Sequence, residues 1–130
     1  MAITVLDAGV LIGLFDGDDI HHGRVRAALT ESTLEEVVVP ASAYAEVLVR
    51  PARRGSAAMR LVDDLLADLA AEVVPLTREI ARAAAQLRAA HPTLRLPDAL
   101  VLATGEVTDA GVVLTTDRRW LRYSRRARVV

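Results

Sequence analysis

Short apolar runs recur along this chain and alternate with longer segments whose apolar positions repeat at helical spacing. Four runs rich in β-branched residues predict strands: 3–6 (ITVL), 36–39 (EVVV, ended by Pro40), 73–74 (VV) and 112–115 (VVLT). Residues 127–130 (ARVV) predict a fifth strand at an edge of the sheet. Short strands that alternate with helices are typical of a parallel sheet covered on both faces.

The segments between these strands predict helices, and most carry a residue that can start or stop one. The first four are 8–15 after Asp7, 20–31 after the turn 16–19 with Asp18 or Asp19 as cap, Ser42 to about Val49 stopped by Pro51, and 54–71. The last three are 78 to about Ala90 capped by Thr77, 98–108 between Pro97 and the turn 109–111, and Asp117 to Tyr123. We therefore predict one domain over residues 1–130, with an α/β fold. It has three layers, α/β/α, around a short, mostly parallel central sheet of four to five strands.

Composition narrows the classes of protein that the chain can belong to. Hydrophobic residues make up 52% and charged residues 25%, as in a globular domain with a substantial core. Because cysteine is absent, disulfides and thiolate metal sites are excluded. The N-terminus lacks a basic segment, and no apolar run approaches the roughly 20 residues of a membrane span. We expect a soluble, cytoplasmic protein that does not enter a membrane.

Four carboxylates fall near one rim of the predicted sheet. Asp7 ends the first strand, and Asp117 follows the fourth almost at once. Asp98 opens the helix that leads into the fourth strand, and Glu46 lies on the helix after the second. Ligands bind at the carboxyl ends of the strands in open parallel sheets, so we expect these acids to face one site.

Each acid also has an ordinary structural explanation. Asp7, Asp98 and Asp117 stand at helix starts, where Asp is favoured as a cap, and Glu46 has Arg50 as an i+4 partner. Capping does not explain Glu46, which lies in an otherwise nearly apolar turn where a lone carboxylate is costly to desolvate. Clustered carboxylates repel one another, and a hard divalent cation such as Mg²⁺ or Mn²⁺ relieves that repulsion.

Four motifs in register resemble the PIN domain, and most closely the VapC toxins of bacterial type II toxin–antitoxin systems. They are V-L-D-A at 5–8, S-x-x-x-E-V at 42–47, L-P-D-A-L at 96–100 and L-T-T-D at 114–117, and together they cover nearly the whole chain. One position departs from the family, which often has Ser, Thr or Asn two residues after the first Asp. Here that residue is Gly9.

The resemblance implies an endoribonuclease that cuts RNA with Mg²⁺ or Mn²⁺. Asp7, Glu46, Asp98 and Asp117 match the family's acidic quartet, which holds the metal and activates water, and Thr115 matches a hydroxyl that supports it. Such toxins usually form homodimers, and an antitoxin whose tail fills the RNA groove holds them inactive. The amphipathic helices at 54–71 and 77–90 also favour a homodimer. The alternative is a PIN-like module that binds RNA or protein without cutting.

All 16 basic residues are arginine, and the net charge is −1. Arg118, Arg119 and Arg122 follow the strand that delivers Asp117, so we treat them as candidate RNA contacts, because arginine binds phosphate bidentately. For Trp120 and Tyr123 we favour packing over base stacking. For His21 and His22 we favour a role other than metal ligation, since adjacent residues on a helix seldom face one site.

Overall fold

The strands form the predicted sheet in a computed structural model that describes residues 2–31 and 36–130. They are β1 (Ile3–Leu6), β2 (Glu36–Pro40), β3 (Ala71–Val74), β4 (Val112–Thr115) and β5 (Ala127–Val129). Their order in the sheet is β3-β2-β1-β4-β5, and every neighbouring pair is parallel. The expected edge strand is therefore confirmed as β5.

The helices cover both faces of this sheet. They are α1 (Ala8–Phe15), α2 (His22–Glu31), α3 (Ala41–Arg54), α4 (Ser56–Asp68), α5 (Arg78–Ala90) and α6 (Leu96–Val107), followed by a 3₁₀ helix over Arg118–Arg122. The three-layer α/β/α prediction is confirmed. Within the two described ranges, no helix has the length and apolarity needed to span a membrane.

The central strand β1 places the site, because the connections change direction on either side of it. Val5 of β1 pairs with Val38 of β2 on one side and with Val113 of β4 on the other. From β1 the chain goes to β2 and β3, and then returns to β4 and β5. The point where the strand order reverses lies between the carboxyl ends of β1 and β4, where open α/β sheets bind ligands.

Helix α6 packs closely on the sheet, which fixes the position of its first turn. Val101, Leu102, Ala103 and Gly105 are all buried. A Cβ at position 105 would lie 2.5 Å from Val113 Cγ2, so glycine is required for this approach. The predicted end at 109–111 is confirmed, since the amide of Ala110 donates to the Gly105 carbonyl at 2.8 Å.

Two helix boundaries were predicted wrongly. The helix expected over 54–71 is the shorter α4, because residue 71 already belongs to β3. Pro51 was expected to stop the helix that begins near Ser42, but α3 continues to Arg54. Pro51 lacks an N–H and so removes one hydrogen bond of the helix, but the residues after it are good helix formers. Gly55, with φ at 119°, ends the helix, and its amide donates to the Pro51 carbonyl at 3.1 Å.

Ala70, two residues after the end of α4, has a backbone conformation that favours glycine. Its φ is 53°, in the left-handed region that costs a residue with a Cβ about 1 kcal/mol. We expect Ala70→Gly to raise the free energy of unfolding by about 0.5–1 kcal/mol, measured by urea denaturation. The same change at the exposed residue Ala85 in the middle of α5 is the control and is expected to lower it by about 1 kcal/mol. Equal signs for the two variants would contradict the prediction.

Candidate active site at the carboxyl ends of β1 and β4

The four predicted acids are distributed over two strand ends and two helices. Asp7 follows β1 and Asp117 follows β4 by two residues, so both lie at the point where the strand order reverses. Asp98 lies in the first turn of α6, and Glu46 lies on α3. The charges of Asp98 and Glu46 both act on Asp7, and that of Asp117 acts on Asp98. The fold therefore brings the four carboxylates into one electrostatic cluster.

Contrary to the expectation, the side chain of Asp7 does not cap α1. No cap hydrogen bond forms, and its Oδ2 instead accepts a hydrogen bond of 2.9 Å from the Thr115 hydroxyl. The same Thr115 oxygen accepts from the backbone amide of Asp117 at 3.1 Å. Thr115 is fully buried. Its hydroxyl thus links the carboxylate after β1 to the backbone after β4.

Asp7 is the most strongly perturbed of the four acids. Burial raises the pKa of its carboxyl to about 6, against hydrogen bonds from Thr115 and Ala8 that favour the charged form. The negative charges of Asp98 and Glu46 raise the pKa of Asp7 further. A buried carboxylate surrounded by like charge is unstable unless a cation accompanies it.

Asp98 and Glu46 show the same effect more weakly. Partial burial raises the pKa of Asp98, and the nearby charge of Asp117 acts in the same direction. Partial burial and the charge of Asp98 likewise raise the pKa of Glu46. Both carboxyls are therefore less easily ionised than in water.

Contrary to the expectation, Glu46 does not lie in nearly apolar surroundings. Ala43 and Val47 face the core, whereas Ala45 and most of the Glu46 side chain are exposed, so α3 is amphipathic. Arg50 does not form an ion pair with Glu46 but lies 3.9 Å from Asp16. Glu46 is linked to the cluster by its interaction with Asp98 rather than by deep burial.

Asp117 differs from the other three because it has a cation of its own. Its carboxylate accepts from Arg119 through Nε at 3.0 Å and Nη2 at 2.6 Å, and its Oδ1 also caps the 3₁₀ helix at the Arg119 amide. Hydrogen bonds from the Arg119 side chain lower the pKa of Asp117. Of the predicted RNA-contact arginines, Arg119 is thus engaged in holding Asp117, whereas Arg118 lines a cavity beside the cluster.

Sequence reasoning missed Arg95. This exposed residue immediately precedes α6, and its charge lowers the pKa of Glu46, Asp98 and Asp117. Its place three residues before Asp98, in L-R-L-P-D, was the available signal, because that spacing puts both residues at one helix start. Arg95 partly offsets the negative charge of the cluster.

The departure at Gly9 has a structural explanation. A Cβ at position 9 would lie 2.6 Å from the Thr116 hydroxyl and 3.8 Å from Asp7 Oδ2. The hydroxyl of Thr116 therefore takes the space beside Asp7 that a residue larger than glycine would fill. Thr116 lies between Thr115 and Asp117 in the chain. Glycine at position 9 and threonine at position 116 fit one another.

We expect Gly9→Ser to destabilise the fold, because Thr116 must rotate away to admit the new side chain. Overpacking of this kind costs about 1–3 kcal/mol, to be measured by chemical denaturation. Gly9→Ser combined with Thr116→Ala is expected to recover most of that loss. If the double variant is no more stable than Gly9→Ser alone, the crowding lies elsewhere.

Trp120 is buried, with 1% of its surface exposed, so the expected packing role is confirmed. Its indole Nε1 has no hydrogen-bond partner among the described residues. The indole nevertheless lies close enough to Asp98 to favour the ionised carboxylate, together with Arg95 and Arg119. A buried donor without a partner is uncommon, and here it faces the acidic cluster.

The sequence matches the PIN domain family model over residues 4–126. The chain belongs to the PIN domain family. Among solved structures, a toxin–antitoxin complex from Klebsiella pneumoniae superposes with a TM-score of 0.80 at 20% identity, covering 97% of this chain and 96% of that one. VapC20 of Mycobacterium tuberculosis, described as a toxin that cleaves the sarcin-ricin loop, gives a TM-score of 0.76 at 16% identity, with 92% and 93% covered.

DNA-bound VapBC of Salmonella typhimurium gives a TM-score of 0.67 at 15% identity, with 100% of this PIN domain and 98% of that chain covered. These likenesses show a common fold. No curated protein matches the sequence.

The donor atoms of this PIN domain fit a hard divalent cation. Among the described residues, no three His, Asp or Glu side chains are already arranged closely enough to hold a metal ion. The carboxylates nevertheless raise one another's pKa values, a repulsion that a cation between them would remove. An all-oxygen set that carries excess negative charge suits Mg²⁺ or Mn²⁺, both of which keep several waters as ligands.

The histidines and the acids of the 16–19 turn have other contacts. Nδ1 of His22 lies 2.8 Å from the Gly13 carbonyl, and Nδ1 of His21 lies 2.9 Å from Arg24 Nη2. Asp19 accepts from the amide of His21 at 2.8 Å, as a residue at a helix start does. The contact of His22 joins α2 to α1, and the other two are local to the start of α2.

We expect Trp120→Phe to weaken Mn²⁺ binding by roughly tenfold with little loss of stability, since outer partners of metal ligands have effects of this size. Phenylalanine retains most of the packing volume but has no N–H to favour the charged form of Asp98. Calorimetric titration with Mn²⁺ measures the effect. Tyr123→Phe is the control, because its hydroxyl contacts Thr93 at 2.7 Å. Unchanged Mn²⁺ affinity in Trp120→Phe would refute the role of the indole.

Proposed function

We propose that this PIN domain is an endoribonuclease of the VapC type, dependent on Mg²⁺ or Mn²⁺, and that it acts as the toxin of a toxin–antitoxin pair. The observation that carries the proposal is the cluster of Asp7, Glu46, Asp98 and Asp117 at the reversal point of the sheet, with three of the four pKa values raised. Proteins of the same fold include toxins described as parts of toxin–antitoxin complexes and one described as cleaving the sarcin-ricin loop.

In this proposal Asp7 and Asp98 hold the cation, and Asp117 and Glu46 complete the site. When bound, the cation supplies a Lewis acid that makes a coordinated water more acidic and neutralises charge on the phosphate. Thr115 keeps Asp7 in a fixed orientation through the hydroxyl hydrogen bond of 2.9 Å. Arg119 orients Asp117, and Arg95 reduces the repulsion between the acids and the RNA.

Three further properties belong to the proposal. We expect a VapB-like antitoxin as partner, because structures with the same fold are of VapBC and other toxin–antitoxin complexes. We also expect a homodimer, which light scattering at micromolar concentration tests, and a location in the cytoplasm.

The test is cleavage of total cellular RNA by protein purified free of antitoxin. Parallel reactions contain Mg²⁺, Mn²⁺ or EDTA, with Asp98→Asn as the inactive control and Asp68→Asn, an exposed acid at the end of α4, as the matched substitution. We expect discrete fragments that require metal, disappear in Asp98→Asn and persist in Asp68→Asn. Sequencing their ends identifies the site that is cut.

A catalytically silent binding module is the second candidate. Two observations favour it: Arg119 already neutralises Asp117, and no metal cluster is preassembled among the described residues. Folded protein that binds RNA but leaves it intact in Mg²⁺ and in Mn²⁺ would establish this alternative. Fragments that persist in EDTA and in Asp98→Asn would indicate a contaminating nuclease.

A further inference from the structure

A basic cavity lies beside the acidic cluster, between the start of α2 and the carboxyl ends of β4 and β5. Its volume is about 380 Å³, and it is lined by His21, Arg24, Thr116, Arg118, Leu121 and residues 129–130. We refer to it as the basic pocket. Its polar wall comes from two guanidinium groups, an imidazole and a hydroxyl, whereas the side chains of Leu121 and residues 129–130 are apolar.

Among the described residues that line the basic pocket there is no aspartate or glutamate. Within the described part of the chain, the ion pairs are Arg50–Asp16, Arg119–Asp117 and Arg126–Asp109, so neither Arg24 nor Arg118 pairs with a carboxylate. Asp117, next to Arg118 in the chain, is held by Arg119, and Asp19 accepts from the backbone amide of His21. Two cations that converge on a concave surface without a counter-ion form a site for an anion.

The contact between His21 and Arg24 prepares the basic pocket for that anion. A guanidinium can only donate, so His21 Nδ1 accepts from Arg24 Nη2 across 2.9 Å. This hydrogen bond restrains the long side chain of Arg24. The other N–H groups of the same guanidinium stay available, and a fork of parallel donors matches two oxygens of a phosphate.

Thr116 connects the basic pocket to the acidic cluster. It lines the pocket. Its neighbour Thr115 donates to Asp7, and its other neighbour, Asp117, belongs to the cluster. Its hydroxyl also lies next to Gly9, near Asp7 Oδ2. The basic pocket and the acidic cluster are therefore adjacent and share Thr116 as a boundary.

We propose that the basic pocket binds a phosphodiester group of the RNA strand, adjacent in that strand to the phosphodiester that is cut. Arg24 and Arg118 are its two cationic ligands. The inference rests on the proposed ribonuclease function and extends it from the acids to a substrate subsite. Arg24, on α2, was not among the candidate RNA contacts, because only its position in the fold brings it to Arg118.

The test measures binding of a fluorescent single-stranded RNA of mixed sequence in EDTA, where no cleavage occurs. Arg24→Gln and Arg118→Gln are each expected to weaken binding by roughly 3- to 10-fold. Each is also expected to reduce the slope of log K against log salt by about 0.7, the value for one phosphate contact on a single strand. Because both arginines hold the same phosphate, the double variant is expected to lose no more slope than either single variant.

Two controls separate a subsite from a general effect of charge. Arg82→Gln removes the same charge from an exposed position on α5 and is expected to change affinity and slope little. Arg118→Lys retains the charge and is expected to restore the slope but only part of the affinity, since lysine cannot bind bidentately. Thermal melting of each variant verifies that it is folded.

The outcomes distinguish the subsite from the nuclease. Wild-type affinity and slope in folded Arg24→Gln and Arg118→Gln, or no RNA binding by the wild type, would overturn the subsite. Additive loss of slope in the double variant would overturn the sharing of one phosphate. If the wild type does not cut RNA in Mg²⁺ or Mn²⁺ while both variants lose affinity and slope as expected, the nuclease proposal fails and the subsite remains.

Discussion

Asp7→Asn is expected to abolish RNA cleavage and, at the same time, to make the folded protein more stable at neutral pH. The loss of activity is expected to be at least about 10³-fold, because metal-assisted stabilisation of the transition state is worth several kcal/mol and each 1.36 kcal/mol is a factor of ten. Asparagine can still accept the hydrogen bond of the Thr115 hydroxyl, but it carries no charge for a cation.

The gain in stability follows from the pKa of Asp7, which burial raises to about 6 in the folded state. The folded protein then binds this proton more tightly than the unfolded chain, so ionisation of Asp7 opposes folding. The penalty is absent below about pH 4, grows as the pH rises toward 6 and is complete above it. A shift of about two pKa units corresponds to at most about 3 kcal/mol, and we expect Asp7→Asn to recover about 1–3 kcal/mol of it at pH 7.

Urea denaturation at pH 4 and pH 7, with metal removed by EDTA, measures this effect. The two proteins are expected to differ at pH 7 and to converge at pH 4. Asp117→Asn is the matched control, and its stability is expected to fall at pH 7, because hydrogen bonds from Arg119 lower the pKa of Asp117. The explanation fails if Asp7→Asn is less stable than the wild type at pH 7 or if its advantage does not depend on pH.

The positions of the acids in the fold could be predicted largely from local sequence. Asp7 directly follows a buried strand and Asp117 comes two residues after another, and the carboxyl ends of adjacent parallel strands meet at one edge. Thr77 caps α5 as expected, with its hydroxyl accepting from the Ile80 amide at 3.1 Å. These features depend on patterns of a few residues, which is why periodicity and capping rules recover them.

The contacts between distant residues could not be predicted in the same way. Thr115 and Asp7 are 108 positions apart, and only the pairing of β1 with β4 brings the hydroxyl to the carboxylate. The interaction of Arg95 with three acids and the fit of Thr116 over Gly9 likewise depend on tertiary packing. A cap at Asp7 is what the sequence predicts, because it does not show that the Thr115 hydroxyl competes with the backbone amides of α1 for this carboxylate.

The second large effect concerns the cation itself. At pH 7.5, an excess of Mn²⁺ or Mg²⁺ is expected to raise the melting temperature by several degrees, because a ligand at a hundredfold excess over its Kd stabilises the fold by about 2.7 kcal/mol. At pH 5 the increase is expected to be much smaller. Burial raises the pKa of Asp7 to about 6, so a proton occupies that carboxyl at pH 5 and competes with the cation.

Differential scanning fluorimetry at both pH values measures the shift, with NaCl at matched ionic strength as the control for screening. Asp98→Asn and Asp7→Asn are expected to show no metal-dependent increase at either pH. A shift of equal size at pH 5 and pH 7.5, or one that persists in both variants, would place the cation away from the cluster. A shift confined to the higher pH and lost in both variants would mean that the cation binds at the cluster. There it removes the repulsion among the acids that destabilises the metal-free protein.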